Sequence, residues 1–177
     1  MEMSGLITVL SAVVLLVLLW LFFARSYLSE AKKRLAEQWQ AIVAGLNKRH
    51  DLMPNLIETV RMYTNNQEEI LAELIAVRQR TMRLPRLDAE KFEWEHKLSQ
   101  LVNRLIDFGR TMQDLSMDTN FLELRKETAD LEESIASHTE HYNEMVRAYN
   151  ELLGRVWLKP WAKLLGYKPK NIFEMEK

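Results

Sequence analysis

From Ser4 to Ala24 every residue is uncharged and most are large and apolar (SGLITVLSAVVLLVLLWLFFA). Beyond Arg25 the apolar residues thin out to a three-four rhythm, the spacing of one face of an α-helix. Leu28, Ala31, Leu35, Ile42 and Leu46 make a first stripe, with Trp39 beside it. A second runs through Leu56, Ile57, Val60, Tyr63, Leu71, Leu74 and Ile75 and ends before RLPRLD, where Pro85 breaks the pattern and Asp88 can cap a new helix. The third holds Phe92, Leu98, Leu101, Val102, Leu105, Ile106 and Met112. After the polar turn QDLSMDTN, in which Ser116 or Asp118 can serve as N-cap, the fourth runs through Phe121, Leu124, Leu131, Ile135, Tyr142, Met145, Tyr149, Leu152 and Val156. No stretch alternates with the period of a strand. The pattern predicts an all-α protein: a transmembrane helix, then an up-and-down antiparallel bundle of four long helices.

Pro54 decides where the first bundle helix stops. Inside a helix a proline removes a donor and clashes one turn back, at about 3 kcal/mol or more, whereas in the first turn it costs almost nothing. An unbroken helix from Arg25 to Met82 would run about 85 Å at 1.5 Å per residue, against about 35–40 Å for the third stripe. The expectation is therefore a turn near His50. Lys48, Arg49 and His50 would face the negative end of the first helix, and Asp51 would cap the second. A kinked continuous helix is the alternative.

The apolar run is long enough to cross a hydrocarbon core of about 30 Å. A cleaved signal peptide would want a basic start and a small-x-small cleavage site, but the start carries Glu2 and WLFFARSYL offers no such site. No Lys or Arg precedes the run, while Arg25, Lys32, Lys33 and Arg34 follow it, which places the C-terminal domain in the cytoplasm. The net charge of -1 hides this asymmetry, and the 177 residues contain no cysteine, so disulfides, thiolate metal sites and a cysteine nucleophile are excluded.

Catalytic chemistry finds little purchase. A di-iron bundle needs two Glu-x-x-His pairs, and only Glu93 and His96 have that spacing. His138 and His141 are three apart, but HTEH is not the zinc-protease motif, and a histidine on a core stripe is more often a hydrogen-bonded interior residue than a ligand. The five glycines form no phosphate loop, and basic residues alternate with acidic ones rather than making a nucleic-acid stripe. The sequence thus predicts no enzyme, no metal or other cofactor, no nucleic acid and no small-molecule substrate.

Four stretches, in order, resemble the LemA family of bacterial membrane-anchored helical proteins: RHDLMPNLIETVRMY, DLSMDTNF, YNEMVRAYN and GYKPKNIF. Where relatives commonly carry a tyrosine-proline pair before the aspartate-leucine, this chain has Met112 and Gln113, and the stretch from Pro85 to Met112 diverges. The resemblance implies a single N-terminal anchor in the bacterial cytoplasmic (inner) membrane and a helical-bundle domain without established enzymatic activity.

On this reading residues 1–25 are the anchor, 26–157 the bundle and 158–177 an aromatic and basic tail that returns to the bilayer. Trp20, Arg25, Trp157, Lys159, Trp161, Lys163, Tyr167 and Lys168 are the expected membrane-interface residues. Asp51, Pro54, Asn55, Glu58, Asn120, Phe121, Tyr142, Asn143, Tyr149 and Asn150 are expected to specify the fold; Tyr142 and Tyr149 would fill the core, and buried asparagines would fix register. The expected function is a membrane-anchored scaffold able to form homo-oligomers on membrane lipid. The alternative is a monomeric adaptor or accessory subunit of another membrane protein, such as a protease or transporter.

Overall fold

The computed structural model describes residues 2–64, 68–84, 89–156 and 158–173; the side chains at 2–4, 6, 68 and 89 lie outside that description. Among these residues the chain is helical and no strand occurs. The helices are α1 (Glu2–Tyr63), α2 (Glu68–Arg83), α3 (Ala89–Thr111), α4 (Gln113–Ser116), α5 (Thr119–Gly154) and α6 (Lys159–Leu164). Two compact units result, one of Met1–Gln38 with Tyr142–Ile172, the other of Trp39–His141 with Phe173–Lys177.

In the second unit four long helices turn their apolar stripes inward. Met53, Leu56 and Val60 of α1, Leu71, Leu74 and Val77 of α2, Leu98, Leu101 and Leu105 of α3, and Phe121 and Leu124 of α5 share one core, with Leu115 of α4 closing it. Burying each such side chain contributes roughly 1.5–3 kcal/mol. Directions follow from the pairs: Lys48–Glu127 at 3.2 Å and Tyr63–Asp118 at 2.8 Å set α1 antiparallel to α5. Arg80–Glu90 at 3.1 Å and Glu73–Lys97 at 3.0 Å do the same for α2 and α3. Gly109 marks a close approach, because a Cβ there would run into the Phe121 ring and Leu115. Phe173 stacks on Phe92 at 4.9 Å and on Trp39 at 5.0 Å.

In the first unit, α1 and α5 again run antiparallel, since Trp20 to Glu30 line a groove with Leu152 to Leu158 and Tyr27 to Leu35 line its continuation with Met145 to Arg155. Leu28 and Leu35 are buried on α1, and Tyr142, Val146, Tyr149 and Leu152 on α5. Towards the N-terminus this packing stops, and the large apolar side chains from Ile7 to Leu19, with Phe22 and Phe23, are exposed.

The expected turn at His50 and Asp51 does not exist. Helix α1 continues through both to Tyr63, so Asp51 is an exposed mid-helix residue rather than an N-cap, and Pro54 lies inside the helix. The reason is a partner from another helix. Pro54 has no N–H to offer the His50 carbonyl four residues back. That oxygen instead accepts from Arg78 of α2, from Nε at 3.3 Å and from Nη2 at 3.1 Å. The break in the helix comes after Tyr63, within the single stripe expected from Leu56 to Ile75. Pro85 and Asp88, expected to break and restart the chain between α2 and α3, lie outside the described residues.

Candidate functional site

Arg49, His50 and Glu95 are buried in the second unit at 3%, 8% and 3% exposure. The helical path through Pro54 is what puts the first two there, since a turn at His50 would have left them at a helix end. Arg49 donates through Nη2 to Glu95 Oε2 at 2.6 Å and to the Glu95 main-chain oxygen at 3.0 Å. Its Nη1 donates to the Glu132 carboxylate of α5 at 3.0 and 3.3 Å, and Ser99 Oγ donates to the same carboxylate at 2.7 Å. The other oxygen of Glu95 accepts from His50 Nε2 at 3.0 Å, which fixes the proton on that nitrogen because an ionised carboxylate only accepts. Burial alone would push the Glu95 carboxyl up, but the His50 hydrogen bond and the Arg49 charge more than offset it and hold it below the ordinary value. Side chains from α1, α3 and α5 are thereby fixed to one another by charge-assisted bonds.

A second polar set fastens the end of α1 to the start of α5. Asp118 is the N-cap, accepting from the Phe121 backbone N–H at 2.7 Å through Oδ1 and from the Tyr63 hydroxyl at 2.8 Å through Oδ2. These bonds hold the Asp118 carboxyl below its ordinary value, and the carboxylate in turn pushes the Tyr63 phenol up. Asn120 donates to Thr59 Oγ1 at 2.8 Å, and Thr59 donates to the Asn55 carbonyl. Asn55 thus takes part through its backbone; its side chain and that of Glu58 are exposed and do not enter the core.

In the first unit the two Tyr-Asn pairs divide their work. Tyr142 and Tyr149 are buried, which pushes both phenols up, and Asn143 is buried with them. Asn150 holds the tail: its Nδ2 donates to the Lys170 carbonyl at 2.7 Å and its Oδ1 accepts from the Lys170 N–H at 2.9 Å. The chain reaches that clamp by a tight reversal after α6. Tyr167 N–H donates to the Ala162 carbonyl at 2.9 Å and Gly166 N–H to Lys163 at 3.2 Å, with Gly166 at φ 75°, a closure that favours glycine.

Of the expected interface residues, Trp20 and Trp161 meet edge to face at 5.7 Å. Arg25, Lys159, Lys163 and Lys168 are exposed and Tyr167 is half-buried, while Trp157 lies outside the described residues. The later part of the tail is held by protein, at Lys170 and at Phe173, rather than presented whole. Among the described residues no three His, Asp or Glu side chains converge as metal ligands. Glu93 is exposed, and His96 is half-buried against Gln100 at 2.9 Å.

A protein all-helical among its described residues, with one long N-terminal helix that begins apolar and is tied by polar clasps to the helices that follow, is the class these features define. The chain belongs to the LemA family, whose model matches residues 38–177. No curated protein matches it. The four resembling stretches meet in pairs: the first supplies Thr59 and Tyr63 to Asn120 and Asp118 of the second, and the third supplies Asn150 to Lys170 of the fourth.

Proposed function

We propose that the chain is a non-enzymatic, single-pass scaffold of the bacterial cytoplasmic membrane that self-assembles on lipid. The N-terminal part of α1 is its anchor, and α1, α2, α3 and α5 form an up-down-up-down bundle on the cytoplasmic side. What supports this is the contrast within α1 between apolar side chains exposed from Ile7 to Leu19 and at Phe22 and Phe23, and a guanidinium and imidazole buried at Arg49 and His50. A stretch that exposes apolar surface all round suits a lipid solvent. The tryptophan pair Trp20 and Trp161, with Lys159 and Lys163 exposed beside it, suits the headgroup level at the end of that stretch. The buried Arg49, His50 and Glu95 are engaged with one another, which suits a presenting surface better than a reacting one.

The test is extraction of the full chain in mild detergent followed by mass measurement. A homogeneous homo-oligomer is expected. A monomer that co-purifies with one other membrane protein would replace the scaffold with an adaptor.

A further inference from the structure

Where four helices close the second unit, the first unit has only two long ones, and one side of that pair is open. Two adjoining hollows of about 560 and 430 Å³ share Tyr27, Glu30, Leu152 and Arg155, and so make one groove from Trp20 to Leu35. That is about 22 Å of helix at 1.5 Å per residue. Ala24, Ala31 and Ala148 leave room in its wall.

We propose that this groove seats the same groove of a second copy, so that α1 and α5 of two chains complete a four-helix contact about a twofold axis. The inference rests on the reading of an anchored, self-assembling chain and names the surface used. Two chains anchored in one membrane run parallel, and a twofold axis along the membrane normal sets α1 of one copy beside α5 of the other, antiparallel and at equal height. The charges then match. Glu30 and Arg155 flank the stretch common to both hollows, and Arg34 and Glu151 line only the part farther from Trp20. Glu30 therefore lies level with Arg155 of the second copy, and Arg34 level with its Glu151. Within one chain these groups make exposed one-turn pairs, Glu30–Arg34 at 3.1 Å and Glu151–Arg155 at 3.8 Å, which leaves them available to a partner. Two acidic and two basic groups balance, which favours a copy of the same face over an anionic lipid headgroup.

The absence of cysteine makes a clean test possible. Two differently tagged full-length chains, one Glu30→Cys and one Arg155→Cys, are co-expressed in membranes and treated with a short thiol cross-linker. A cross-link joining the two tags is expected. Glu30→Arg or Arg155→Glu alone should weaken self-association in detergent about tenfold or more, and the two together should restore it. Ala148→Trp, which fills the groove, should give a monomer of unchanged helicity. If the Ala148→Trp chain still assembles and no cross-link joins the tags, the groove is not the contact, although self-assembly stands. A parent chain that stays monomeric overturns both readings, and a monomer that releases phospholipid on Ala148→Trp gives the groove to lipid.

Discussion

Between Ile7 and Phe23, α1 carries large apolar side chains in the open, Leu10 at 64% and Phe23 at 67% exposure, whereas farther along the same helix Arg49, His50 and Thr59 are buried. The first stretch is chemically uniform and is left uncovered by the described residues. The second is chemically mixed, and Arg49, His50 and Thr59 each meet a polar counterpart on another helix of the same chain. Both stretches are α-helical, the second with Pro54 inside it. What differs is that the second stretch is specified residue by residue, and the first only by its average hydrophobicity.

The sharpest way to break the comparison is at Glu95. Glu95→Leu leaves Arg49 buried without its main partner and should cost about 3–5 kcal/mol, while exchanging Arg49, Glu95 and Glu132 together for Met, Leu and Leu should recover only the part owed to Arg49, because His50 Nε2 and Ser99 Oγ lose their acceptors. Denaturant unfolding of the chain in mild detergent, followed by helical circular dichroism, measures both. Leu10→Ala in the apolar stretch should change the same transition by less than about 0.5 kcal/mol. A pH signature accompanies this. Because the folded Glu95 carboxyl sits below its ordinary value, its contribution is present at neutral pH and is lost as pH falls through the ordinary carboxylate range to the lowered value. The Glu95→Gln chain should lose that part of the acid sensitivity.

Next in size is the His50 carbonyl. Arg78→Met orphans it and should cost about 1–3 kcal/mol. In a Pro54→Ala background, where residue 54 regains its N–H, the same change should cost clearly less, and additive effects would count against the Arg78 account. Gly109→Ala should cost about 1–3 kcal/mol by overpacking against Phe121. Smallest is Asn150→Ala, expected at about 1 kcal/mol, with faster hydrogen exchange at the Lys170 amide as its local readout.

The stripes were legible because periodicity is local: Leu28, Leu35, Ile42, Val60, Leu74, Leu105 and Phe121 are all buried where the three-four spacing put them. The break between the first two helices was not. Part of the penalty of a proline inside a helix is the carbonyl it leaves unpaired four residues back, and Arg78, which pairs that of His50, lies too far along the chain for local rules to see it. Glu95 was missed because a lone glutamate on a charged helix reads as solvated. Its signal was position, since Phe92, Glu95, Leu98 and Val102 form one stripe, as do Leu46, Arg49, Met53 and Val60. Charges on an apolar stripe, read across several helices together, would have pointed to the cluster.

The carbonyl left over by Pro54 also works as a test of alignment. Without an N–H at residue 54, α1 presents the His50 carbonyl as an acceptor at one height, and a neighbour with a long donor at the matching height satisfies it. An α2 slid by one turn would still set apolar side chains against α1, because Leu71, Leu74 and Val77 repeat at nearly that interval. It would, however, carry Arg78 about 5.4 Å off station. A smooth helix would tolerate that slip; the proline makes the slipped pairing detectably worse, and so converts a local defect into proofreading of how two helices mate.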